Sequence, residues 1–298
     1  SLTFGTEITN NYCGEAYNGI ALINGTPGLS AQEPFNFADN EFENLNFGLV
    51  LSGNFDDPNT PNVRPTIAGN TITTALTITP SPFPDIPESA GIWSIYNPGL
   101  VIRDNTITGF AAPVGPRPIF GVLVENSPQT QVLCNTINRH TAGVRFSDLC
   151  EQSTVRNNFL LDNQAGLIIT NNGIIGQQGF DATGADAANF NVWGRTAAAF
   201  NPPYAAADMF ALVSAGSDGT QSPFLAPTDD TPLAPLATFG TFTFNPLNLQ
   251  NGWFNDVTLA IDPNCNPGGQ VGVCIDVFPD AQFSYQPPTG CVGHIFFT

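Results

Sequence analysis

The chain contains no lysine. Its positive side is seven arginines, set against 25 acidic residues, which gives a formal net charge of −18 over 298 residues. A nucleic-acid binder needs a basic face, so that function is excluded. Anionic lipid surfaces go with it unless a metal ion bridges. No apolar run approaches the ~18 residues of a membrane-spanning helix, so no membrane span is expected. No Cys-x-x-Cys pair occurs, which removes the usual zinc spacing. No Gly-x-Ser-x-Gly elbow, phosphate loop or His-rich metal pattern occurs either. No charged-then-apolar leader opens the sequence, and Ser1 reads as a trimmed start whose export signal is already gone.

What the chain does have is 29 Gly, 26 Pro and 24 Phe, with abundant Asn and Thr. That is the vocabulary of short strands and many turns. The length suits one large domain or two ordinary ones. Six cysteines stand at positions 13, 134, 150, 265, 274 and 291. An even count in an acidic, lysine-free chain suggests an oxidising compartment with disulfides, at the cell surface or beyond it. Buried free thiols are the alternative reading.

Two motifs alternate along the first two thirds. One is apolar-x-x-Asn-x-apolar: "FADNEF", "IAGNTI", "IRDNTI", "VLCNTI" and "VRNNFL", centred on Asn40, Asn70, Asn105, Asn135 and Asn158. The other is Gly followed by alternating apolar residues, beginning at Gly19, Gly48, Gly91, Gly121, Gly143 and Gly166. Asn to the next Gly is eight residues at 40 to 48, 135 to 143 and 158 to 166. Gly to the next Asn is fourteen or fifteen at 91 to 105, 121 to 135 and 143 to 158. The uninterrupted period is therefore 22 or 23 residues. At ~3.3 Å per residue, such a unit closes one coil of a flattened tube just wide enough for side chains.

The fold class is accordingly all-β: a right-handed parallel β-helix of about six coils, with capped ends and a C-terminal β-rich segment. Period-two alternation points Leu49/Leu51, Val122/Val124 and Val144/Phe146 inward after each Gly, and Ile67/Ile72, Ile102/Ile107 and Val132/Ile137 inward around each Asn. The repeated Asn is expected to take left-handed dihedrals at a corner and to stack its amide on the next coil. The stretch "GVRFSDLCEQSTVRNNFLLDNQAGLIITNNGIIG" resembles the right-handed parallel β-helices of the pectate-lyase-like superfold, and more narrowly the repeat regions of large secreted bacterial surface proteins. That resemblance covers roughly residues 15 to 195 and implies fold more than function, because the superfold hosts lyases, hydrolases, adhesins and stalks.

The expected organisation is an N-terminal cap or strand over 1–15, the coils over 16–195, and a Pro-rich segment over 196–298 with a short helix at 202–216 and a small β-sheet. Long insertions fall between Asn70 and Gly91 and between Asn105 and Gly121, at the same corner of adjacent coils. Outward residues on the Gly strand include Val50, Trp93, Leu123 and Ile168, an apolar stripe that the last third of the chain or a second copy should cover.

The chemistry is sparse. The tight basic cluster is Arg139-His140, with Arg117, Asp85 and Glu88 placed nearby by the insertions. An enzyme built there would use His140 or Arg139 as base and the acids to orient substrate. A solvated corner is the simpler reading. Asp262, Asn264 and Asn266 alternate before a Gly and offer oxygen ligands to calcium; Asp56 to Asn62 is a similar run, and a metal-free turn accounts for both. No other cofactor is implied. The sequence leans towards a secreted structural surface protein, a subunit of an extracellular fibre or surface assembly with adhesive capacity, and so towards other copies of itself as partner. The alternatives are a polysaccharide-active lyase or glycoside hydrolase, and a glycan-binding module using Trp93, Phe83 or Trp253.

Overall fold

In each repeat the apolar-x-x-Asn-x-apolar unit folds as two short strands on either side of a two-residue corner. The structure, a computed structural model, describes residues 7–25, 36–53, 64–74, 89–109, 119–163, 165–179, 191–194, 210–213, 217, 219–226, 237–239 and 254–256. The strand before each corner joins a first parallel sheet: β1 (Glu7–Thr9), β4 (Asn36–Ala38), β7 (Thr66–Ala68), β10 (Val101–Arg103), β13 (Gln131–Leu133) and β16 (Thr154–Arg156). The strand after it joins a second: β2 (Tyr12–Gly14), β5 (Glu41–Leu45), β8 (Thr71–Thr74), β11 (Thr106–Thr108), β14 (Thr136–Asn138), β17 (Phe159–Leu161) and β19 (Val192–Gly194). The longer Gly strands build the third: β3 (Asn18–Gly25), β6 (Phe47–Gly53), β9 (Ser89–Ile95), β12 (Ile119–Glu125), β15 (Ala142–Leu149), β18 (Ala165–Ile174), β20 (Phe210–Val213) and β22 (Ala237–Phe239). A separate pair joins β21 (Phe224–Ala226) to β23 (Phe254–Asp256). Six strands in the first sheet make six coils, as the period requires.

Register places like on like. Phe37, Ile67, Ile102, Val132 and Val155 form one column. Phe42, Ile72, Ile107, Ile137, Leu160 and Trp193 form a second. Leu49, Ile92, Val122, Val144 and Leu167 form the third. All belong to one buried cluster that runs the length of the coil. Each such side chain stabilises by roughly 1.5–3 kcal/mol, so a truncation anywhere along it is felt.

The repeated Gly has a steric reason. A Cβ on Gly48 would stand 2.5 Å from the Gly91 carbonyl oxygen and 2.6 Å from the Ile72 γ-methyl. On Gly121 it would stand 2.6 Å from the Gly143 oxygen and strike Ile137. The strand kinks inward here: Phe47 packs in an outer cluster while Leu49, two residues on, lies in the core.

The Asn series is a continuous ladder. In each coil the Asn backbone N–H and side-chain amide both donate to the Oδ1 of the next Asn, at 2.9–3.0 Å, from Asn40 through Asn70, Asn105 and Asn135 to Asn158. The ladder extends further than the motif search reached, to Asn11 at one end and Asn191 at the other. The expected left-handed dihedral belongs elsewhere, however. It falls on the residue before each ladder Asn: Asn10, Asp39, Gly69, Asp104, Cys134 and Asn157, with φ between 56° and 68°. The preceding residue makes the turn, and the Asn is left free to point its amide along the coil axis.

At the beginning, residues 7–14 pair in parallel with β4 and β5 as strands of the first coil. Further on, the helix expected over 202–216 is overturned at its described part, because residues 210–213 form β20. A short apolar run carries no decisive period, and the open edge of β18 at Leu167–Ile169 templates it as a strand. With β22 beyond it, the last third adds to the third sheet.

Candidate functional site

The third sheet's outer face carries the most chemistry. Val50, Trp93, Leu123, Arg145 and Ile168 stand in one register column. Beside it runs the column Ser52, Ile95, Glu125, Ser147 and Thr170. The stripe is largely closed within the single chain: Leu123 is 0% exposed and Val50 7%, while Trp93 and Ile168 are half-buried. Leu123 therefore needs no second copy to cover it.

Three aromatics run across this face. The rings of Tyr17 and Phe47 lie 5.6 Å apart at 58°, and Phe47 stacks on Trp93 at 5.5 Å and 29°. The Trp93 indole N–H donates to Glu125 Oε2 at 2.7 Å. The Arg145 guanidinium sits 5.2 Å above the Phe120 ring, and its Nε–H donates to Thr170 Oγ1 at 3.2 Å. Burial raises the Glu125 pKa, opposed by the Trp93 hydrogen bond and by Arg145, with Asp148 adding to the rise. Burial lowers that of Arg145 against the pull of Glu125 and Asp148. The result is a half-buried carboxylate and guanidinium set against aromatic rings of which Phe47 and Phe120 are themselves buried, so that exposed Tyr17 and half-buried Trp93 are the rings a partner could meet. Sequence reasoning put Trp93 and Arg145 in one outward column and Glu125 among the outward acids, but did not join the three into a site. The signal was a register count placing Glu125 and Arg145 on the outer face next to Trp93.

Of the expected basic centre, the described residues Arg139 and His140 face opposite ways. Arg139 is exposed in a left-handed conformation at φ 63°, whereas its neighbour His140 turns inward and is buried. Burial pushes the His140 pKa down to about 3, against the weaker opposing pulls of the Asn163 side chain and the Asn138 backbone. Neither ring nitrogen has a hydrogen-bond partner of good geometry. The expectation of a solvated corner is corrected for His140, which is a neutral interior side chain. Asp85, Glu88 and Arg117 lie outside the described residues, as do Asp262, Asn264, Asn266, Phe83, Trp253 and the run from Asp56 to Asn62. Among the described residues no group of three or more His, Cys, Asp or Glu side chains gathers as a metal site.

The cysteines divide. Cys150 is a buried free thiol whose sulfur bonds to the Ser147 and Val124 carbonyls at 3.3 and 3.7 Å, and burial pushes its pKa up to about 11. Cys13 is a partly buried free thiol at the first coil. For these two the expected disulfide gives way to the alternative reading. No helix among the described residues is long and apolar enough to cross a membrane.

A family described as a right-handed β-helix region matches residues 3–180, more than half of the chain. No curated protein and no solved structure matches it.

Proposed function

The chain belongs to the right-handed β-helix family, and from that premise we propose that it is an exported structural building block, a subunit of an extracellular fibre or surface assembly whose outer faces carry adhesion. The observation that supports this reading is where the polar chemistry goes. The repeated Asn side chains spend their hydrogen bonds holding one coil to the next, 0 to 1% exposed from Asn40 to Asn158. A tube tied along its axis in this way is stiff. The strongly acidic, lysine-free composition fits prolonged exposure outside the cell.

A second reading, glycan binding on the third sheet, draws on exposed Tyr17, half-buried Trp93 and the Glu125 that Trp93 bonds. The polysaccharide-active alternative loses His140 as its base and retains Arg139. Imaging of native material separates these readings. A structural subunit gives polymers or a regular surface layer. A binding module gives single particles that retain glycan affinity and lose it on Trp93→Ala. An enzyme turns over a polysaccharide and stops on Arg139→Ala. Single particles with no assembly under any condition would overturn the structural reading.

A further inference from the structure

We propose that the outer face of the third sheet holds a neutral, hydroxyl-rich glycan at one fixed site, with Trp93 as the stacking surface, Glu125 as the acceptor and Arg145 as the donor. The inference rests on the glycan-binding reading and gives it determinants and a ligand class. Hydrogen-bonding capacity is left unspent at this place. Arg145 donates through Nε to Thr170 Oγ1, at 3.2 Å, and rests its guanidinium on the Phe120 ring. Among the described residues neither of its Nη groups has an acceptor. The ion pair formed among those residues is Arg103–Asp104, so Arg145 is not bridged to Glu125 or to Asp148. Glu125 spends Oε2 on the Trp93 indole N–H, at 2.7 Å, and Oε1 on no described partner. These atoms are not sealed in either: the buried polar atoms without a partner lie elsewhere, at Thr74, Asn97 and His140 among others. A guanidinium clamped at Nε and a carboxylate clamped at one oxygen are thus held in place with their remaining groups free, which is the preorganisation that binding a polar ligand requires.

Register sets the spacing. Trp93 and Arg145 stand in one column two coils apart, on β9 and β15, with Leu123 of β12 between them. Glu125 lies on that middle strand, two residues along from Leu123 and on the same face. Two inter-strand spacings make roughly 10 Å, the span of a disaccharide and not of a simple ion. The half-buried indole offers apolar surface to the C–H groups of a pyranose ring. A hydroxyl both donates and accepts, so neighbouring hydroxyls on such a ring satisfy Arg145 and Glu125 together. Charge then selects the class. Glu125 and Arg145 act on each other electrostatically, and Asp148 acts on both. An anionic sugar meets two carboxylates here, on a chain of formal charge −18. An ammonium group meets the guanidinium at close quarters. A neutral glycan meets neither penalty, and its binding depends little on salt.

The test is isothermal titration calorimetry on the full chain at low and high salt. Cello-, xylo-, manno- and chito-oligosaccharides are the neutral probes and oligogalacturonate is the anionic one. Glu125→Gln leaves one acceptor oxygen, which serves Trp93 or the glycan and not both. Arg145→Met keeps a stem over Phe120 and removes the donors. Thr108→Ala, on β11 of the second sheet, is the remote control. Loss of one hydrogen bond to a charged group should weaken binding about ten-fold or more. A neutral oligosaccharide that binds regardless of salt, weakened to that extent by Glu125→Gln and by Arg145→Met and unaltered by Thr108→Ala, supports the site. Neutral binding that is lost on Trp93→Ala and ignores both charge variants overturns the inference and leaves the glycan-binding reading standing. So does a preference for oligogalacturonate that fades with salt. Absence of binding by every probe removes both. Should the charge variants fail to fold, carboxyl NMR of the unaltered chain decides: the Glu125 resonance moves as the bound oligosaccharide is added, and a resonance that stays still while calorimetry shows binding overturns the site.

Discussion

Asn105→Ala is the sharpest probe of how the coils hold together. The side chain accepts from the Asn70 backbone N–H and amide, both at 2.9 Å. It donates to the carbonyls of Ile67 and Arg103 and to Asn135 Oδ1, at 2.9–3.0 Å. Alanine removes all of these inside a buried column. The Asn70 amide keeps other acceptors, the Phe37 and Ala68 carbonyls. The Asn70 backbone N–H loses its ladder partner, and water has no ready route to it. Net hydrogen bonds count for about 1 kcal/mol each and an orphaned buried donor costs ~1–3 kcal/mol, so the loss should be ~3–5 kcal/mol. Asn11→Ala is the matched control: there the side chain is exposed and water replaces its bonds, so the loss stays under ~1 kcal/mol. Equilibrium urea unfolding followed by far-UV circular dichroism gives both values. Equal losses at the two positions, or a cost below ~1 kcal/mol for Asn105→Ala, would refute the claim that the ladder bonds stabilise the coil.

Other perturbations test other links in the argument. His140 ionises near 6.5 unfolded and near 3 folded, so the folded state binds the proton less well; stability is unaffected above pH 6.5, falls as pH drops towards 3, and levels off below. The loss is about 2 kcal/mol at pH 5 and ~5 kcal/mol in full; His140→Asn should abolish this component in a pH series of urea midpoints. A gain in the slope instead would place the acid sensitivity elsewhere. Gly121→Ala sets a methyl 2.6 Å from the Gly143 oxygen and should cost about 3 kcal/mol or more, read as a fall in Tm; a neutral result would mean the coils can part at no cost. Trp93→Phe removes the hydrogen bond that holds the Glu125 pKa down, so carboxyl NMR titration should move it further up, and an unchanged value would detach the two residues.

The repeat was legible because it is written twice, as a spacing of Asn and as a spacing of Gly, and each has one physical cause. Asn11 and Asn191 escaped the motif search because their flanking positions are disguised. "ITNNYC" puts Cys13 where other copies have Ile, Phe or Leu, and "NFNVW" ends on Trp193; both side chains nevertheless pack with the core. The strand at Phe210–Val213 was hidden for a different reason. Four apolar residues fit either period, and the deciding contact is an edge more than forty residues earlier in the chain. The Arg139-His140 pair misled because adjacency in sequence says nothing about facing: one left-handed residue at the corner sends the first side chain out and the second in. Cys150 could not be told from a disulfide partner until its burial and its two carbonyl contacts were seen.

The ladder also explains where this chain tolerates change. Between the first and second sheets every corner is two residues long: one turning residue, then the ladder Asn, as at 10–11, 39–40, 69–70, 104–105, 134–135 and 157–158. A longer corner would carry the Asn off the axis and break contact with both neighbours, so no insertion occurs there. The corner between the second and third sheets has no such constraint in every coil. It is short at His140, whose backbone N–H donates to Asn163 Oδ1 at 3.0 Å, and Asn163 returns its amide to the Ile137 carbonyl at 2.9 Å. In the two coils before, the stretches 75–88 and 110–118 take up the same interval. Where the Asn163 amide ties two coils, the corner is short. Residues that differ from coil to coil therefore fall in the intervals that lead into the third sheet at Ser89 and Ile119. Adhesive specificity, if the outer faces carry it, should follow loop exchange at this corner, with the ladder untouched: swapping 110–118 for a short linker should alter surface binding while the urea midpoint shifts by less than ~1 kcal/mol in stability. A collapse of stability on that exchange would show that the loop belongs to the scaffold, and the division between a fixed corner and a variable one would fail.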